Sequence, residues 1–285
     1  MYSIWKLILI TLMAVCLYSC SDSTDNNVSP TQSNPERNFK YPVKLNSYWY
    51  YGTRNFIFNI RPDSINIYFS TDTIPGYGNS AFEKDTVVNS DTLTLFRNVL
   101  STSGHAVTTN ELYKQTDTGL IRIAHYTAGS NFGPFRSANN FSYSHNGKSF
   151  SDLNDLFEYF TGEHYQSDTS FYFDDPPVKV LQYPVTENTE WNFFNNGSSS
   201  INKTYLNYEN VTVNAGTFFC IKLKRDLFYN SVKDTNYIYY DYFSASGMVK
   251  RDILIKDVNV SNQFGQTIGK IDVKEEVFVN LYNIP

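Results

Sequence analysis

Tyrosine and phenylalanine constrain this chain more than any other feature: there are 23 Tyr and 22 Phe among 285 residues. Aromatic rings suit pleated, half-buried surfaces. Here they alternate with Val, Ile and Thr and are punctuated by Asn, Ser, Asp and Gly, the grammar of strands joined by turns. Such runs fall at 47–60, 64–70, 85–100 and 111–126, resume near 169, and continue at 203–213, 217–229, 234–243, 248–255 and 270–282. The late runs follow one another at hairpin spacing, which favours an antiparallel meander. Residues 127–150 read as a loop. One helix is predicted over 151–161: Ser151 can cap it, Leu153, Leu156, Phe157 and Phe160 share a face, and Gly162 follows where a helix ends. That stripe reads as core rather than as a ligand site. The expected fold is mainly β, a curved antiparallel sheet or open half-barrel meander with one short helix packed across it.

The first twenty residues follow a different logic. Lys6 precedes an eleven-residue uncharged run, Leu7 to Leu17, and Ser19-Cys20 follows. That run is shorter than the ~20 apolar residues a spanning helix needs. It fits the apolar part of a secretory signal. Leu17 at −3, Ser19 at −1 and Cys20 at +1 form a lipobox, so cleavage before Cys20 and lipidation of its thiol with acyl chains such as palmitate are expected. Two or more chains anchor stably where one does not. Residues 21–38 (SDSTDNNVSPTQSNPERN) carry one aliphatic side chain and no aromatic one, too little to order themselves. As a flexible tether they would span roughly 25 Å. The expected organisation is a signal peptide at 1–19, a lipidated Cys and tether at 20–38, and a β-rich domain at 39–285, single or built of two similar halves meeting near 170–183. The expected location is the cell envelope, as an outer-membrane lipoprotein facing either the periplasm or the medium.

Composition excludes some partners. Loss of Lys6 leaves 22 basic against 28 acidic side chains, with no basic run. A nucleic-acid partner is therefore not expected. Cys16 leaves with the signal and Cys20 carries lipid, so Cys220 has no partner for a disulfide. In Phe218-Phe219-Cys220-Ile221 it reads as a small buried hydrophobe.

One unit occurs twice. Tyr41-Pro42-Val43, Asn46 and Trp49 match Tyr183-Pro184-Val185, Asn188 and Trp191 at a constant offset of 142. Proline pre-sets a turn and asparagine tolerates positive φ, so each unit reads as a turn leading into a strand whose Trp plugs the core. The preferred reading is one local solution used twice, with duplicated halves as the alternative.

At these segments the chain resembles uncharacterised outer-membrane lipoproteins of the Bacteroidetes. Pro42-Val43-Lys44-Leu45-Asn46-Ser47-Tyr48-Trp49 resembles their PLKVGNSW opening. Glu209 to Phe218 (ENVTVNAGTF) resembles their VPAGTF hairpin, and Ser246-Gly247-Met248-Val249-Lys250 their GxGLVK strand pair. Asn46 stands for a Gly, Asn214 for a Pro, and one glycine of the last motif is missing. The resemblance implies a curved antiparallel sheet of the lipoprotein-carrier type with a helix on its concave face. It brings no catalytic residue with it.

Motifs that carry chemistry are sparse. His105, His125, His145 and His164 lie about twenty residues apart, far beyond metal-ligand spacing, and read as solvated or turn residues. Glu275 and Glu276 fall on opposite faces of a strand. Asp174-Asp175-Pro176-Pro177 reads as a turn. Asp-Ser/Thr triplets at Asp22, Asp63, Asp72, Asp85 and Asp91 resemble an O-glycosylation signal, although Asp-Thr also simply opens strands. No catalytic, cofactor or metal site is nominated, and Cys20 is the one residue given a chemistry. The expected function is a non-catalytic binding or scaffold module tethered to the membrane, with a carbohydrate or apolar ligand. A lipid or lipoprotein carrier, or a surface glycan hydrolase, are the alternatives.

Overall fold

The computed structural model describes residues 37–102, 105–131, 141–161 and 170–285. Cys20, the signal segment, most of the tether, Gly162, His164 and the Asp22 triplet lie outside them, as does the side chain of His105. Among the described residues there are fifteen strands: β1 (Tyr48–Arg61), β2 (Ile74–Val88), β3 (Asp91–Thr102), β4 (His105–Gln115), β5 (Gly119–Asn131), β6 (Ser142–His145), β7 (Lys148–Phe150), β8 (Tyr172–Gln182), β9 (Glu190–Asn195), β10 (Ser199–Val213), β11 (Gly216–Tyr229), β12 (Val232–Lys233), β13 (Tyr237–Ser244), β14 (Gly247–Ser261) and β15 (Thr267–Asn283). The helix α1 spans Leu153–Thr161.

The strands form one antiparallel sheet in the order β8-β5-β4-β3-β2-β1-β15-β14-β13-β11-β10-β9. It curls until its two ends meet, a nearly closed barrel. No ladder joins β8 to β9; side chains bridge this seam instead. Trp191 Nε1 donates to Lys179 O at 2.9 Å, Lys203 Nζ to Val180 O at 3.0 Å, and the Tyr205 hydroxyl to Gln182 O at 2.9 Å. Outward positions carry ion pairs along the strands, Lys224–Asp226, Lys250–Asp252 and Lys274–Glu276. This wall faces water, because a lipid-facing barrel wall would be apolar.

Several sequence expectations change. The run at 64–70 is a 3-10 helix over Asp63–Tyr68, not a strand; Pro62 fixes the entry and Asp63 opens the first turn, so Ile65 is buried while Ile67 is exposed. The runs at 85–100 and 111–126 each straddle a hairpin. Asn89-Ser90 turns with φ of 50° and 71°, the paired left-handed geometry of a two-residue hairpin loop. Residues 127–150 contain the end of β5 and the hairpin β6–β7, which turns at Asn146-Gly147. Asp174 to Pro177 lie within β8, where proline is tolerated because β8 is a sheet edge. The helix is capped by Asp152, whose Oδ1 accepts the Asp155 N–H at 2.9 Å, rather than by Ser151, which bonds the Asp155 carboxylate.

α1 plugs one end of the barrel. Leu156 and Phe160 are buried there with Phe141, Phe150, Tyr237, Ile253 and Ile271, and the Tyr237 hydroxyl donates to Phe160 O at 2.7 Å. The opposite end is filled by Tyr41, Trp49, Phe82, Tyr183, Trp191, Tyr205 and Phe243. Gly247 belongs to this end: at φ 98° it lies so close to Trp49 that a Cβ would fall 2.8 Å from the indole nitrogen.

The repeated unit has equivalent surroundings in both places. Asn46 and Asn188 have φ of 66° and 65°. Asn46 N–H donates to Phe82 O and Phe82 N–H to Ser47 O, while Asn188 N–H donates to Tyr205 O and Tyr205 N–H to Thr189 O. The equivalence reaches the topology. Replacing β1, β2, β3, β4, β5 and β8 by β9, β10, β11, β13, β14 and β15, and the reverse, reproduces the order around the barrel, with the β1–β15 ladder taking the place of the seam.

Candidate functional site

Between the two apolar plugs lies a belt of polar side chains. Each comes from an inward position of a strand whose neighbours at the same parity are apolar. On β11 the inward series is Ile221, Leu223, Arg225, Leu227; on β14 it is Val249, Arg251, Ile253; on β10 it is Ile201, Lys203, Tyr205. Asp241 on β13, Glu275 on β15, Arg122 on β5, Glu111 on β4, Asn98 on β3 and Ser80 on β2 continue the belt. Glu275 is buried and Glu276 half-buried on the outer face, the opposite sides expected of strand neighbours.

Within the belt is a cavity of about 130 Å³, lined among others by Lys203, Arg225, Arg251, Asp241, Arg122 and Glu111. Its charges form two groups. In the first, one carboxylate serves two guanidiniums: Asp241 takes Arg251 Nε at 2.7 Å and an Arg225 terminal nitrogen at 3.3 Å. Burial would raise the Asp241 carboxyl, but Arg251 and Arg225 outweigh burial and hold it below the usual carboxylate range. The Arg225 guanidinium also lies 4.0 Å from the Tyr239 ring centre. In the second group, Arg122 binds Asp174 through two nitrogens at 2.8 and 3.2 Å and Glu111 at 3.1 Å. His125 Nδ1 lies 3.3 Å from the same Asp174. Burial opposes the Asp174 charge too, and His125 with Arg122 overcomes it.

Lys203 is different. Its side chain is only 1 % exposed, and among the described residues no carboxylate lies within ion-pair reach of Nζ. The amine donates to Val180 O and sits 3.8 Å from the centre of the Phe193 ring. Burial, reinforced by the neighbouring Arg225, pushes it well below the ordinary lysine range.

A second chamber of about 220 Å³ adjoins the first, sharing Arg122 and Phe193 with it. Tyr159 and Phe160 of α1, Phe194 of β9, Ile201 of β10 and Leu227 of β11 make it mainly apolar. It lies at the unladdered seam, where Tyr172 is 67 % exposed.

Two of the histidines expected to be solvated or turn residues are neither. His125 sits on β5 against Asp174, and His145 is buried with Nε2 2.9 Å from Asp234 Oδ2. Asp174, read as a turn residue, is a cavity carboxylate. Cys220 is fully buried. The triplet acceptors Ser64, Thr73 and Thr92 are exposed. Among the described residues no three His, Cys, Asp or Glu converge as a metal site would require, and no helix is long and apolar enough to cross a membrane. The belt residues Lys203, Arg225, Asp241 and Arg251 were not singled out in the sequence. Their signal was a charge standing at the apolar parity of a strand.

Comparison with known proteins finds no matching family model and no matching curated protein. Two solved structures overlap it. One, from Bacteroides fragilis NCTC 9343, is provisionally described as an exported protein with a YmcC-like fold; it is 8 % identical, with a TM-score of 0.35. The other, from Parabacteroides distasonis ATCC 8503, is provisionally described as a lipoprotein; it is 12 % identical, with a TM-score of 0.32. Each alignment covers 86 % of this chain and 99 % of the other. At these scores no function passes from them to this chain.

Proposed function

We propose that this chain is a non-catalytic binding lipoprotein of the cell envelope, held on the outer membrane by lipid on Cys20, whose barrel takes a small ligand into its interior. The lipobox supports the anchor. The observation that carries the binding reading is the cavity itself: a belt of buried charges around open space, where a filled apolar core would be cheaper to fold. Trp49 and Trp191 are buried, and the exposed Tyr48, Tyr50 and Tyr77 stand at outward positions of β1 and β2 rather than in the cavity.

The alternatives draw less support. Chambers of about 130 and 220 Å³ are each smaller than the ~300–1,000 Å³ typical of ligand pockets, which disfavours a diacyl lipid. A glycosidase needs a carboxylic acid kept protonated. Asp174 and Asp241 are instead held ionised by arginine.

The anchor is tested by Cys20→Ala with labelled palmitate: label is lost and the protein leaves the membrane fraction. Retention of both label and membrane association overturns it. The lumen is tested by a thermal-shift ligand screen on the wild type and on Ser80→Phe, which places a ring in the cavity. Hits that persist in the variant place binding elsewhere.

A further inference from the structure

Lys203 carries this inference, which rests on the lumenal reading above and names the ligand class. A buried ammonium is ordinarily paired with a carboxylate, because an isolated charge is costly to desolvate. Here Arg225 and Arg251 already share Asp241, and Arg122 is taken by Glu111 and Asp174. Glu275 is a further belt carboxylate on β15, but it does not line the cavity. The lining therefore offers an amine with no carboxylate in ion-pair reach, beside the neutral polar groups of Ser80, Asn98, Tyr51 and Tyr113. Such a lining suits a compact oxyanion.

The adjoining chamber supplies the other half. Phe160, Phe194, Ile201 and Leu227 give it an apolar lining, and it reaches the surface at the seam beside Tyr172. Arg122 and Phe193 line both spaces, so the two lie next to one another inside the barrel. We propose that the barrel binds a small organic anion, its carboxylate or phosphate on Lys203 in the inner cavity and its apolar body in the chamber at the seam. An inner cavity of about 130 Å³ sets the scale; an engineered apolar cavity of ~150 Å³ accommodates benzene. The head and a ring are therefore the right size, and a long double-chained lipid is not.

The test is calorimetric titration of the full-length chain in detergent with benzoate, phenyl phosphate, inorganic phosphate and benzamide, the neutral isostere of benzoate. Benzoate or phenyl phosphate is expected to bind at least about tenfold more tightly than benzamide, the contribution of a charge-assisted hydrogen bond. Lys203→Met is expected to bring the anion down to the level of benzamide. Inorganic phosphate binding as tightly as phenyl phosphate would overturn the two-chamber assignment in favour of a free oxyanion. Equal binding of benzoate and benzamide overturns the anion proposal while leaving a lumenal binding site intact. No binding by any probe removes both. Should Lys203→Met fail to fold, the pH dependence of binding by the wild type decides the matter. Benzoate stays ionised from pH 6 to pH 10, so an affinity that falls, with proton uptake, as pH rises across that range marks an ammonium partner, and an affinity unchanged across it overturns the proposal.

Discussion

The backbone N–H of Tyr41 donates to the phenolic oxygen of Tyr183 at 2.8 Å, joining two residues that hold the same place in the two copies of the repeated unit. Gln115 Nε2 clamps the pair, donating to Tyr41 O at 2.7 Å and to the Tyr183 hydroxyl at 3.2 Å. The two copies thus meet at one end of the barrel, next to the seam that β8 leaves open. Tyr183→Phe removes one acceptor and strands a buried N–H, which costs about 1–3 kcal/mol. The expected result is a lower urea midpoint with an unchanged slope.

The two asparagines test the same equivalence through backbone conformation. Left-handed geometry costs an ordinary L-residue ~1–2 kcal/mol, and glycine or asparagine far less. Asn46→Gly is therefore expected to be nearly neutral and Asn46→Val to lose about 1–2 kcal/mol, with Asn188 giving the same two outcomes. Equilibrium unfolding of the four variants checks it. A neutral valine at either position would mean that its turn has rearranged.

Asp241 gives the fold a dependence on acid. Its folded pKa lies below the unfolded value, so it stabilises the protein above the unfolded carboxylate range near 3.9. That contribution is lost as pH falls below about 4 and through the folded value. Asp241→Asn leaves Arg225 and Arg251 facing a neutral amide, and breaking a buried pair costs about 3–5 kcal/mol. The variant should be less stable at pH 7, and its stability should fall less steeply than wild type between pH 4 and pH 2. A parallel shift of the two curves would show that Asp241 is not one of the groups that titrate.

The strands of the second half were readable because each carries its own hairpin punctuation. Asn214-Ala215 before Gly216 and Ser246 before Gly247 interrupt the aromatic runs where the chain turns. In the first half, Asn89-Ser90 and Thr116-Asp117-Thr118 contain no glycine, so two hairpins read as two long strands. The 3-10 turn at Ile65 and Ile67 mimicked strand alternation over too few residues to separate the two periods. The belt was hidden for another reason. A charge at an inward position looks like one more polar residue until the parity of the strand is fixed by its neighbours across the sheet. Arg225 and Asp241 become partners only through the pairing of β11 with β13, information that one strand does not contain.

Cys220 is fully buried, and burial pushes its thiol up to about 12. Only the thiolate reacts quickly with a disulfide reagent. In the native protein at pH 8 the thiol should therefore resist Ellman's reagent for as long as the fold holds, and should react in urea at the rate of unfolding. Rapid labelling of native protein would show that β11 opens locally near Phe218.

Lys203 yields the prediction that separates a structural role from a binding one. An unfolded lysine titrates near 10.4. The folded amine sits well below that because burial and Arg225 oppose its charge. Between the two values the unfolded chain binds more protons than the folded one, so stability should rise with pH across that window and level off above about 10.4. Lys203→Met should flatten this rise. Despite losing the bond to Val180 O, it should also be more stable than wild type at pH 7, because the fold no longer buries an amine whose protonation it opposes. Thermal unfolding across pH 6–11 measures both effects. A variant that is more stable yet no longer distinguishes benzoate from benzamide would show that the lysine costs the fold stability and serves the ligand. A variant that is destabilised at every pH would make Lys203 a strap across the β8–β9 seam instead.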